Sequence, residues 1–155
     1  LNPLIFWWLF FWVQTLGYGI ASYFGMFQLM WAADFSKISF VIFAAHFFIT
    51  LWLGVKTHTK MKGHEFREET GWFLAESMLT LGMIGTVVGF IYMIETTIGS
   101  LSGTVTVESL RSLVNALAYG IGTALWTTLI GLIASLCLKV QLNNIEGIIV
   151  AQHED

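Results

Sequence analysis

The hydrophobic positions along this chain gather into four blocks, at about residues 4–33, 38–55, 73–95 and 113–138. A helix rises about 1.5 Å per residue, so about 20 mostly apolar residues cross a hydrocarbon core of about 30 Å. The pattern predicts an all-α membrane protein with four transmembrane helices packed as a bundle, and residues 1–155 forming a single transmembrane domain. The first block is long enough to tilt or to run past the interface. It reads as a span rather than a signal peptide, because it is too long and has no basic leader. The missing initial Met leaves room for a short preceding piece.

The segments between the blocks set an orientation. Residues 34–37 form a tight turn. Residues 56–72 are polar and carry Lys56, Lys60, Lys62 and Arg67, and residues 96–112 are rich in Gly, Ser and Thr. Basic residues favour the cytoplasmic side. Placing 56–72 and the tail from Lys139 inside puts five basic residues there, against Lys37 and Arg111 outside. Both termini are then cytoplasmic. Trp7, Trp8, Trp12, Trp31 and Trp72 fall near span ends, where an amphipathic ring suits the headgroup region. Trp52 and Trp126 lie deeper and read as packing residues.

Composition strengthens this reading. Of the 155 residues, 56% are hydrophobic and only 11% charged, against about 25% charged in soluble domains. The mean hydropathy is +0.74. The net charge of -3 points to no particular partner, and a single cysteine, Cys137, excludes an intrachain disulfide.

The two halves differ. The first two helices are bulky, as suits lipid-facing surfaces. The third carries Gly82, Gly85, Thr86 and Gly89 on one narrow face, and Gly85 and Gly89 form a small-xxx-small pair. The fourth carries Ala116, Gly120, Thr123, Ala124, Thr127, Thr128, Gly131 and Ser135 at spacings of three and four. These faces read either as packing seams through Gly82, Gly85, Gly89, Gly120 and Gly131, or as the lining of a polar path through Thr86, Thr123, Thr127 and Thr128. A membrane threonine can also bond back to its own helix at little cost.

The run Gly82-Met83-Ile84-Gly85-Thr86-Val87-Val88-Gly89 resembles the G-x-x-G-T-V-x-G signature of the MotA/TolQ/ExbB proton-channel family. The run Ala124-Leu125-Trp126-Thr127-Thr128-Leu129-Ile130-Gly131-Leu132 resembles the A-L-x-x-T-x-x-G-L signature of that family's next helix. Both stand in the family's order on adjacent spans, and the likeness covers residues 72–146, about half of the chain. The resemblance implies a homo-oligomer, a pentamer, around a dimer of a single-span ExbD/TolR/MotB-like partner whose Asp carries the proton. It also implies that Thr86 and Thr128 face the pore, in a bacterial inner membrane. The sequence departs from the pattern at Thr123, where ExbB- and TolQ-like members have Glu. It also lacks the large cytoplasmic domain that MotA-like members carry between helices two and three.

The polar residues fit that division of labour. A titratable group inside a membrane is costly and rare, and no Asp falls in a predicted span. Glu76 and Glu95 lie toward opposite ends of helix three, as candidates for proton exit and entry or as interfacial carboxylates. His46 sits mid-span, either as a proton relay or as a neutral ring bonded to a neighbouring helix. Gln14 and Gln28 read as interhelical hydrogen bonds. His58, His64 and His153 fit no metal spacing. No nucleophile–base pair, cofactor motif or nucleotide loop is present; Gly99 and Gly103 mark a flexible turn with no G-K-[ST] after it. The sequence therefore points to no enzyme, metal or cofactor. The basic connection, mixed with Glu65, Glu68 and Glu69, suggests a lipid-facing anchor and no nucleic acid. A different class of reading is a non-conducting scaffold that oligomerises through the small-residue faces. A small secondary transporter is disfavoured, because the chain has neither an internal repeat nor a broken helix.

Overall fold

The computed structural model of the chain describes residues 2–34, 36–62, 68–100 and 106–153. Five α-helices and no strand occur among the described residues: α1 (Pro3–Tyr23), α2 (Met26–Ala33), α3 (Ile38–Lys60), α4 (Glu68–Ser100) and α5 (Val107–His153). All but α2 are long and apolar enough to cross a membrane, which makes this a multi-pass membrane protein.

The first apolar block is two helices, not the single tilted span expected over 4–33, so the expectation of no broken helix fails here. Gly25 adopts φ +71°, a left-handed conformation that lacks a steric penalty only for glycine. α1 ends as the Phe24 N–H donates to the Ile20 carbonyl, and α2 starts again from Gly25. The turn into α3 is fastened by Asp34, which is fully buried. Its carboxylate accepts from the Lys37 N–H at 3.0 Å, the Ser39 N–H at 2.9 Å and the Ser36 hydroxyl at 2.7 Å. Amides at a helix start have no partner within the helix, and a carboxylate supplies one. Lys37 folds back over the Trp31 ring, 4.1 Å from its centroid.

The other helices outrun their predicted spans. α3 continues through the basic residues to Lys60. α5 begins at a reciprocal cap, in which the Ser109 N–H donates to the Thr106 hydroxyl at 3.2 Å and the Thr106 N–H to the Ser109 hydroxyl at 2.8 Å. The tail expected from Lys139 is helical through His153, because Gln141, Leu142 and Ile145 continue the buried face of Ala134 and Leu138. His64, Glu65 and Arg67 of the basic connection, residues 101–105 of the Gly99–Gly103 turn, and Glu154 and Asp155 lie outside the described residues.

α4 and α5 run antiparallel and form the principal pair. α3 lies against both, with Ile42 and Leu53 joining Ala75, Met78, Leu138 and Leu142 in a common core. α1 packs on α3 and α5. Its anchor is Trp7, which is buried within the bundle. The ring lies over Gly54, where any Cβ would collide with it, and its N–H donates to the Thr50 carbonyl at 3.3 Å. Trp8, Trp12 and Trp31 remain exposed.

Candidate functional site: the α4–α5 seam and its open face

The seam is built from absent side chains. A Cβ on Gly82 would lie 3.0 Å from the Thr127 carbonyl oxygen and 3.2 Å from the Gly131 Cα. One on Gly89 would lie 2.9 Å from both the Ala124 nitrogen and the Gly120 oxygen, and one on Gly131 would lie 2.9 Å from the Gly82 Cα. Gly85 is covered by the Thr127 side chain, and Gly120 by Met93. All five glycines singled out in the sequence therefore meet in one crossing within a single chain, where the backbones approach closely enough to exclude a Cβ.

The four threonines separate into two groups. Thr123 is fully buried, and its hydroxyl donates to the Ala33 carbonyl at 2.7 Å, holding the end of α2 against α5. Thr127 is fully buried over Gly85, and its hydroxyl donates back to the Thr123 carbonyl at 2.9 Å. Both face the inside of the chain. Thr86 and Thr128 are half-buried where the seam opens to the surface, and their hydroxyl oxygens touch. The Thr128 hydroxyl can donate to the Ala124 carbonyl at 2.9 Å and the Thr86 hydroxyl to the Gly82 carbonyl at 3.2 Å. A hydroxyl has one donor and two acceptor lone pairs. One hydroxyl donates to the other, whose proton turns to a backbone carbonyl, so the pair keeps lone pairs free to accept a further hydrogen bond.

Around this pair the surface is apolar. Met83, Val87 and Phe90 of α4 and Ile121, Leu125 and Leu132 of α5 are exposed beside it. α1 and α3 pack on other faces of the pair, through residues such as Leu81, Ile130 and Ala134. Glu76 is exposed on the same uncovered arc of α4, one turn before the exposed Thr80, and Glu95 is exposed toward the C-terminal end of that helix. A carboxylate facing acyl chains is costly, so the arc carrying Glu76 suits contact with water or with polar protein.

Two polar features lie outside the sequence-derived site. Asp34 figures in the sequence only as part of a turn, although an acidic residue a few positions before an apolar helix is a capping signal. The buried face of α3 is partly polar, carrying Ser39, His46, Thr50 and Thr57. Their intervals of seven, four and seven, on an otherwise apolar block, mark one helical stripe. The Gln141 amide of α5 donates to the Thr50 hydroxyl at 3.3 Å. The bond expected from His46 to a neighbouring helix is not completed: neither ring nitrogen has a partner of normal geometry, although the Ala134 carbonyl lies beside the ring. The buried Gln14 amide nitrogen reaches toward the Cys137 thiol on α5 but makes no hydrogen bond of normal geometry with it. Gln28 lies on the exposed side of α2.

Compared with known protein families, characterised proteins and solved structures, the chain matches none. The resemblance to the proton-channel family rests on its two motif runs alone.

Proposed function

We propose that this chain is the proton-conducting channel, or stator, subunit of a motor driven by the ion-motive force in a bacterial inner membrane. In this reading it is a homopentamer with both termini in the cytoplasm. It surrounds a dimer of a single-span partner whose Asp binds the proton. The observation that carries the proposal is the contact between the Thr86 and Thr128 hydroxyls on the uncovered face of α4 and α5. A protonated carboxyl entering that face donates to a free lone pair of the two hydroxyls. After it ionises, a hydroxyl turns its proton outward and donates to the carboxylate. Both states of a proton carrier are therefore served by one pair of side chains. A potential of 100 mV supplies about 2.3 kcal/mol per proton, which is comparable with making and breaking charge-assisted hydrogen bonds of about 1.5–3 kcal/mol.

The scaffold alternative needs the small-residue faces to lie between chains. Those faces are occupied inside this one by the α4–α5 crossing, which favours the motor reading.

The test is proton uptake into membrane vesicles carrying the chain with its native partner. The Thr86→Val and Thr128→Val double variant keeps the side-chain shape and removes both hydroxyls. Uptake is expected to fall at least about tenfold, the equivalent of about 1.4 kcal/mol, while the double serine variant stays active. Thr127→Val is expected to conduct. Uptake unchanged in the Thr86 and Thr128 double variant would contradict the proposal.

A further inference from the structure

On the side of the bundle away from the threonine pair, α1, α2, α3 and α5 line a cavity of about 440 Å³ that is open on one side. Its wall is almost wholly apolar, with Phe10, Phe27, Phe43 and Trp126 supplying rings. Among the described residues, no Lys, Arg, Asp or Glu lines it. Its few polar groups stand out against that apolar wall. His46 is only 2% exposed and lines the cavity with no hydrogen bond of normal geometry at either ring nitrogen, the Ala134 carbonyl lying beside the ring, and the buried Gln14 amide nitrogen makes no bond of normal geometry with the Cys137 thiol it reaches. The Tyr18 side chain and the Cys137 thiol complete that wall.

A buried polar atom left without a good partner is costly, so such atoms mark places where a partner is missing. A neutral imidazole offers one N–H donor and one bare nitrogen, and the amide offers donors. The volume lies in the range that holds a drug-sized molecule. The uncharged wall excludes an ionic ligand, because a charge there would have no counter-ion. Exposed Val13, Leu129 and Ile133 lie at the rim, so entry is lateral, from the bilayer.

We infer that this cavity is a binding site for a neutral, lipid-soluble molecule with a hydroxyl- or carbonyl-bearing head, whose head bonds to His46 and Gln14 and whose apolar body lies among the rings. Two sources share that chemistry: a neutral glyceride and an isoprenoid quinone or quinol. The site is separate from the Thr86–Thr128 face and does not depend on the motor reading.

The experiment uses the full chain in nanodiscs of phosphatidylethanolamine and phosphatidylglycerol, titrated separately with radiolabelled dioleoylglycerol and with radiolabelled decylubiquinone. Saturable binding of at least one probe, at one molecule per chain, is expected, and which probe binds identifies the source. A Cβ at Gly17, which lines the cavity, meets nothing within 4 Å. Gly17→Leu therefore fills the cavity without disturbing the helix and is expected to abolish binding. His46→Phe with Gln14→Leu is expected to weaken it at least tenfold. Helicity by circular dichroism checks that each variant folds. If the double variant fails to fold, Gly17→Leu decides alone. The inference is overturned if neither probe saturates, if Gly17→Leu binds as the parent does, or if only phospholipid is retained.

Discussion

At the residue scale, the account depends on which small side chains are structurally required. Gly89 and Gly19 both lie in helices, yet a Cβ at Gly89 would meet backbone atoms at 2.9 Å whereas one at Gly19 meets nothing within 4 Å. Gly89→Val should lower the thermal midpoint in detergent, as expected of overpacking that costs about 1–3 kcal/mol. Gly19→Ala should leave the midpoint unchanged or raise it, because alanine is favoured over glycine in a helix by about 1 kcal/mol. Equal midpoints for the two would contradict the close seam. The glycines were legible in the sequence because small residues at spacings of three and four announce close helix approach. The division of the threonines was not. Thr123, Thr127 and Thr128 share one side of a helical wheel, and only the docking of Ala33, ninety positions away, buries Thr123 and leaves Thr128 at the surface. Local spacing carries no information about that contact.

At the element scale, the chain is a set of long apolar helices whose ends are fixed by a few polar groups. Asp34 is the clearest case. Asp34→Ala removes the acceptor for two amides and a hydroxyl, at a cost of about 1–3 kcal/mol for each buried donor left unpaired. Hydrogen exchange at the Lys37 and Ser39 amides should speed up in that variant, with Asp34→Asn intermediate. Exchange unchanged from the parent would show that the turn does not depend on the carboxylate. The four spans could be read from block length alone. The break at Gly25 could not, because Gly17 and Gly19 lie in the same apolar block and continue the helix. The extension of α5 past Lys139 was signalled by Leu138, Leu142 and Ile145 at spacings of four and three. Polar neighbours obscured it, since Lys139, Asn143 and Asn144 lower the local hydropathy without breaking the helical pattern.

At the scale of the whole molecule, the fold is asymmetric. α1 and α3 cover one side of the α4–α5 pair, and the other side carries the threonine contact, Glu76 and a band of exposed Leu, Val and Phe. Ala33, at the end of α2, docks on Thr123, so residues 107–122 of α5 extend beyond that level, about 24 Å of helix at 1.5 Å per residue. A polar pair set in an open apolar face, with Glu76 on the same arc of α4, suits a surface that meets other protein, whereas lipid alone would leave the Glu76 carboxylate unpaired. The central claim is therefore an assembly claim, and native mass spectrometry of the particle excised from its own membrane in polymer-bounded discs tests it most directly. The account predicts five copies of this chain with two copies of a single-span protein that carries an Asp within its span. A monomer or dimer that holds no second chain would contradict it.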